Sequence, residues 1–287
     1  MKLVSFQRGA TASYGVVIEE GIIDVGHRLD HPYLTLRAVL EANALGEVAE
    51  YVAGRPADLS FDEVTFLPVI PNPDKILCVG INYEAHRLET GRDKTEYPVL
   101  FTRFANTQVG HNQPIIRPRV SEKLDYEGEL AVIIGKRGRY IDRAAALSHV
   151  AGYACYNDAS VRDWQRHTSQ FTPGKNFPAT GGFGPWMVTA DEIPDPTQLT
   201  LSTRLNGVQM QHARTDDLIF TIPELIAYIS TFTELVPGDV ISTGTPGGVG
   251  FARRPPVFMK PGDLVEVEIS GIGVLRNPII KETAHAD

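Results

Sequence analysis

Residues Leu124-Asp-Tyr-Glu-Gly-Glu-Leu-Ala-Val-Ile-Ile134 decide how this chain folds. Side chains alternate across a strand, so Glu127, Glu129, Ala131 and Ile133 share one face and Gly128, Leu130, Val132 and Ile134 the other. The second face is apolar throughout and the far half of the first is apolar too, the pattern of a strand buried on both sides. Two carboxylates stand together at its start. Like charges that close, once buried, force a proton onto one of them unless a cation lies between. A bound divalent metal resolves the conflict; a strand start that reaches solvent, leaving two ordinary surface acids, resolves it equally.

Beyond this stretch, residues 150–157 form a second strand that ends in Asp158, the spacing predicts a helix over 160–167, and 171–185 is a Gly- and Pro-rich loop. Residues 199–205 and 208–212 flank Asn206-Gly207, a type I′ hairpin signal. Thr221-Ile-Pro-Glu224 opens a capped helix that runs to Phe232, and a strand over 239–242 leads into Thr243-Gly-Thr-Pro-Gly-Gly-Val-Gly250. Residues 264–269 and 274–280 close the chain as strands. Before the opening stretch, strands are predicted over 75–79 and 99–104, around a helical turn at 82–89. Leu67-Pro-Val-Ile-Pro-Asn-Pro-Asp74 reads as a linker. It divides a small N-terminal α/β domain, residues 1–71, from a larger domain, residues 72–287. Many short strands with few helices predict a β-rich α+β fold, not an alternating βαβ sheet.

The 287 residues carry 27 Lys and Arg against 35 Asp and Glu, a formal charge of −8. No nucleic-acid partner is expected, because phosphate binding is led by basic side chains. There is no basic amphipathic run for a membrane surface, no stretch near the ~20 apolar residues of a membrane span, and the apolar start is too short for a signal peptide. Cys78 and Cys155 are the only cysteines and form no CxxC pair, which points to a reducing cytoplasm and away from a thiolate zinc site.

Asp158 reads as a helix N-cap or, taken with Glu127 and Glu129, as a third oxygen ligand. Three carboxylates without Cys or a His pair suit Mg²⁺ or Mn²⁺ sooner than zinc. Arg162 and Gln165 share a helical face near that centre, or else a solvated surface. Lys175 is an ordinary surface lysine, or a cation placed to hold a substrate carboxylate or an enolate. His86 and Glu89 are three apart on one turn: a surface pair, or an imidazole whose tautomer and basicity a carboxylate fixes. The glycine-rich run is neither GxGxxG nor GxxxxGK[ST], yet its amides and the Thr245 hydroxyl can meet a small anion.

In this order, Gly80-Ile-Asn-Tyr-Glu-Ala-His86 with Glu89, Asp125-Tyr-Glu-Gly-Glu-Leu130, Asn157-Asp158 with Arg162-Asp-Trp-Gln165, Gly174-Lys-Asn-Phe177 and Thr243–Gly250 resemble the fumarylacetoacetate hydrolase family. The resemblance spans 75–278. It implies a mixed β-sandwich roll behind a small N-terminal domain, assembled as a homodimer. It implies that Glu127, Glu129 and Asp158 ligate Mg²⁺ or Mn²⁺, that Arg162, Gln165, Lys175 and Thr245 hold a 2-oxo carboxylate and its enolate, and that His86 and Glu89 activate water. Arg103 and Asn176 depart from the family's more usual lysine and serine, which bears on the substrate pocket. The implied reaction is hydrolysis of a C–C bond in a small acylpyruvate or 2,4-dioxo acid, fumarylpyruvate-like or a diketo-deoxy sugar acid. Decarboxylation or isomerisation, of oxaloacetate or a 2-hydroxyhepta-2,4-diene-1,7-dioate type of acid, is the alternative on the same centre, and a non-catalytic metabolite-binding protein is the third.

Overall fold

The computed structural model describes residues 1–27 and 33–283. Gly128–Ile134 is buried along its whole length and lies inside an 11-stranded sheet, between Val150–Asn157 and Val240–Ser242. Beyond Val150–Asn157 the sheet continues through Gly181–Thr189 to the N-terminal meander Lys2–Arg8, Thr11–Ile18 and Gly21–Asp24. Beyond Val240–Ser242 it reaches Ile76–Gly80 and ends at Val99–Arg103. The pairing of Val240–Ser242 with Ile76–Gly80 is parallel and that with Gly128–Ile134 antiparallel, so the sheet is mixed. A 5-stranded sheet built around Thr200–Leu205, Leu264–Ile269 and Gly273–Lys281 covers one face. The architecture is the β-rich two-sheet roll that the sequence predicts.

The alternation read from the central strand sorts its neighbours. Leu130, Val132 and Ile134 bury with Leu201, Val267 and Leu275 of the smaller sheet and with Leu225 and Ile229 of the Ile222–Phe232 helix. Ala131 and Ile133 bury on the opposite face with Leu36, Val39 and Val48, from the helices Leu36–Glu41 and Leu45–Val52. Each sealed aliphatic side chain contributes about 1.5–3 kcal/mol, so both faces are firmly held and the acids at the strand's start are the exception. Gly128 stands between them: a Cβ there would run into Thr203 Oγ1 and press on Val267 and Leu201 of the smaller sheet.

Local signals hold where they rest on turn chemistry. Asn206 and Gly207 both take positive φ, 52° and 79°, at the expected hairpin. The helix predicted over 160–167 is a single turn, Arg162–Gln165, because Ser160–Val161 pairs with Leu124–Asp125 as a short strand. In the stretch predicted as loop, Thr172–Lys175 is a helical turn and Gly181–Thr189 a strand. Residues 1–71 share the large sheet through the pairing of Lys2 and Leu3 with Val188 and Met187, and Val69 and Ile70 of the proline-rich joint are buried. Among the described residues no helix is long and apolar enough to cross a membrane.

His111 ties the start of the chain to its end. Its ring stands edge-on to Phe66 at 5.2 Å, and its Nδ1 accepts from the Arg276 amide at 3.2 Å, which requires the neutral form. Burial, aided by the Arg276 charge, lowers its pKa from 6.5 to about 4. The unfolded chain therefore takes up this proton first. Stability from this group is complete above about pH 6.5 and is lost as the pH falls towards 4, up to roughly 3 kcal/mol. Denaturant melts of the unaltered chain and of His111→Asn from pH 7 to 4.5 check this: the variant should show a shallower acid loss, and parallel curves would rule the effect out.

Candidate metal centre and active site

Glu127, Glu129 and Asp158 come together at one end of the central strand, each with a carboxylate oxygen within 4.8 Å of the others, and all are buried. Backbone pairing brings them there. The Asp158 amide donates to the Glu127 carbonyl at 2.8 Å, and the Glu127 amide donates to Asn157 Oδ1 at 3.0 Å. The surface-acid and helix-cap readings do not hold: Asp158 is fully buried, and Val161 is the residue at the helix start.

Cations compensate most of this charge. Lys175 Nζ lies 2.7 Å from Glu127 Oε2 and 2.6 Å from Asp158 Oδ2. Arg162 bridges Glu127 Oε1 at 2.6 Å and Asp125 Oδ2 at 2.8 Å, and Arg103 meets Asp158 Oδ1 at 2.7 Å. Four carboxylates thus face three cations, and among the described residues Glu129 has no ion-pair partner; it accepts only from Ser242 Oγ at 2.5 Å and the Gly244 amide at 2.9 Å. Gly244 donates from φ +106°, a conformation that favours glycine. Burial, reinforced by Asp158 and Glu127, pushes Glu129 well above the usual carboxylate range. Burial alone would raise Glu127 as well, but Arg162 and Lys175 hold it down to about 2. Burial would strip the Lys175 proton, yet Asp158 and Glu127 outweigh it and raise the pKa of the ammonium. Three oxygen donors with one negative charge in excess fit a hard divalent cation.

His86, on the Glu84–Thr90 helix, shares with this cluster a cleft of about 910 Å³. Its Nδ1 is 2.7 Å from Glu89 Oε1, and Glu89 Oε2 accepts from the Gly248 amide at 2.8 Å. An ionised carboxylate only accepts, so the imidazole proton sits on Nδ1 and Nε2 is left as a base. Asn82 braces the helix start by donating to the carbonyls of Phe220 and Thr243 at 3.0 and 2.7 Å.

All nine side chains singled out from the sequence lie at this centre, and all but Asp158 and Glu89 line the cleft itself. Gln165 Oε1 accepts from Arg162 Nη1 at 3.0 Å. The Thr245 hydroxyl donates to the Gly128 carbonyl at 3.0 Å and accepts from Gln211 Nε2 at 2.8 Å. The glycine-rich run, expected to offer amides to a small anion, instead gives those of Gly244, Gly248 and Gly250 to Glu129, Glu89 and Asp125. Arg103 and Asn176 stay outside the cleft. Arg103 stands behind Asp158, while Asn176 bonds the Phe104 amide at 2.8 Å and the Thr102 carbonyl at 3.1 Å.

The sequence reading assigned no role to Asp125, which is fully buried and receives the Gly250 and Phe251 amides at 2.8 and 3.0 Å. A signal was present: it stands two residues before Glu127, in the same alternating register. Burial pushes Asp125 up in spite of Arg162. Ser242, Gln211 and Asn82 had no such signal.

A two-sheet roll that brings an acid triad, an apposed lysine and a His–Glu dyad to one centre offers ligands for a divalent metal beside an acid–base pair. A sequence profile of the fumarylacetoacetate hydrolase C-terminal domain matches residues 75–280, and the chain belongs to that family. It is 41% identical over 288 residues to a mitochondrial oxaloacetate tautomerase of Bos taurus, covering 98% of this chain and 92% of that one. It superposes on a fumarylacetoacetate hydrolase of the psychrophilic Exiguobacterium antarcticum with a TM-score of 0.86 and 35% identity, covering 98% of this chain and 100% of that one. A maleylpyruvate hydrolase of Sphingobium sp. SYK-6, solved with manganese(II) and pyruvate, gives a TM-score of 0.82 and 29% identity, with coverage of 99% and 100%. Like these relatives, the chain is an enzyme.

Proposed function

We propose that this enzyme moves a proton at the carbon next to the keto group of a short 2-oxo diacid, interconverting keto and enol forms of an oxaloacetate-like substrate. The carrying observation is that one cleft holds both the His86 base and the buried acids with Lys175 and Arg162. Glu127, Glu129 and Asp158 would hold a divalent cation, Mg²⁺ or Mn²⁺, which when bound supplies Lewis acidity to the keto oxygen. Arg162 is buried, yet among the described residues its Nη2 has no partner, so it can take a carboxylate oxygen of the substrate, with Gln165 steadying the guanidinium. Lys175 places positive charge where the oxygen becomes negative, and Thr245 shapes the wall beside it. Towards the enol, His86 Nε2 takes the proton from carbon, the C–H electron pair becomes the C=C bond and the proton is delivered to the keto oxygen; towards the keto form the transfer runs in reverse, while Glu89 keeps the tautomer. Similarity to the bovine tautomerase supports the same choice.

A second reading, C–C hydrolysis of an acylpyruvate, uses the same dyad on water; the Sphingobium hydrolase, solved with pyruvate, favours it. Loading the protein with Mg²⁺ and offering the enol of oxaloacetate and a set of acylpyruvates separates the two. Rapid loss of enol absorbance supports the first, pyruvate release the second, and neither would refute both. His86→Gln is expected to slow turnover about 10²–10⁴-fold while leaving Mn²⁺ affinity within a factor of two or so; unchanged turnover would remove the dyad from the chemistry. A homodimer in a reducing compartment, the cytoplasm, completes the proposal; both cysteines are free, and sedimentation equilibrium checks the dimer.

A further inference from the structure

Four cationic side chains line the cleft: Arg92, Arg162, Arg166 and Lys175. Lys175 is taken by Glu127 and Asp158, and Arg162 by Asp125 and Glu127. Arg166 caps the Arg162–Gln165 turn and is exposed, and among the described residues it has no carboxylate partner. An aromatic ring holds it. Its guanidinium lies 4.7 Å from the Phe251 centroid, and that of Arg162 lies 4.4 Å from the same centroid.

A shared ring puts the two guanidinium carbons within about 9 Å of each other. Stacking on a ring removes no charge, so the pair favours an anion that answers both. Arg162 keeps one buried nitrogen, unpartnered among the described residues, for a first carboxylate, and Arg166 presents a planar fork of donors for a second. A short diacid reaches both, whereas a monoacid of the same length leaves Arg166 unanswered. Arg92 follows Gly91 at the end of the Glu84–Thr90 helix, beside Asp93 and off the shared ring.

We infer that Arg166, stacked on Phe251, receives the distal carboxylate and selects diacids over monoacids; this rests on the reading of the cleft given above. The test is calorimetric binding of oxaloacetate and of 2-oxobutanoate, which has a methyl in place of the second carboxylate, to the Mg²⁺-loaded protein. The unaltered protein should prefer oxaloacetate. Arg166→Ala should weaken oxaloacetate by between about tenfold and a hundredfold and leave 2-oxobutanoate unchanged, with Arg166→Lys restoring part of the loss. Unchanged oxaloacetate affinity in Arg166→Ala, equal losses for both acids, or the same selective loss in Arg92→Ala alone would overturn the assignment. An unaltered protein that binds neither acid would instead sink the reading of the cleft, and the subsite with it.

Discussion

Glu129→Gln is expected to bind Mn²⁺ at least about a hundredfold more weakly than the unaltered protein and to lose turnover, yet to melt no lower in the absence of metal. Glu129 is the one member of the acid triad with no cation against it among the described residues. Its negative charge is therefore the part of the cluster that burial penalises most, and an amide removes it. The amide oxygen can still accept from Ser242 Oγ and the Gly244 amide, so neither of these donors loses its acceptor. Glu127→Gln should behave differently. It leaves Arg162 and Lys175 each short of a buried partner, a loss of about 3–5 kcal/mol. Titration calorimetry with Mn²⁺ and scanning calorimetry in chelator separate the two effects. Undiminished Mn²⁺ affinity in Glu129→Gln would dismiss the triad as a metal site.

The second large effect is expected from Lys175→Met. Without the ammonium, Glu127 Oε2 and Asp158 Oδ2 face one another across a buried gap with nothing positive between them. The metal-free variant should lose about 3–5 kcal/mol, which at this chain length lowers the melting temperature by roughly 5–8 °C. Saturating Mg²⁺ should recover a large part, so metal should raise the variant's melting temperature more than that of the unaltered protein. Turnover should fall by about 10²–10³-fold even with metal present, since the positive charge near the developing oxyanion is gone. Equal metal-free melting temperatures would mean that the ammonium does not neutralise the acids.

The same cluster shows how unevenly the site could be read in advance. Glu127 and Glu129 announce themselves because two acids interrupt an otherwise apolar strand. Helical spacing pairs His86 with Glu89 and Arg162 with Gln165, but a solvated surface pair reads the same way, and only the resemblance to the family made them site residues. Asp125 belongs to the same alternation and is the cap for the Gly250 and Phe251 amides, yet an acid before a strand has too many ordinary explanations to stand out. Lys175 looks like any loop lysine until a turn at Thr172–Lys175 buries it against acids 17 and 48 residues away.

The sequence alone determined what depends on neighbours along the chain: the doubly buried central strand, the Asn206-Gly207 hairpin, the Thr221 cap, the β-rich class, and through the ordered motifs the family. Each follows from periodicity, turn geometry or residue type, which act over a few residues. Tertiary structure alone decided which charges meet. The Ser160–Val161 pairing with Leu124–Asp125 cut a predicted helix to one turn, and the crossing of distant strands set Arg103 behind Asp158 and, among the described residues, left Glu129 without a cation. Burial and charge act through space, so whether an acid is a ligand, a cap or a surface group is fixed only when the sheet has closed around it.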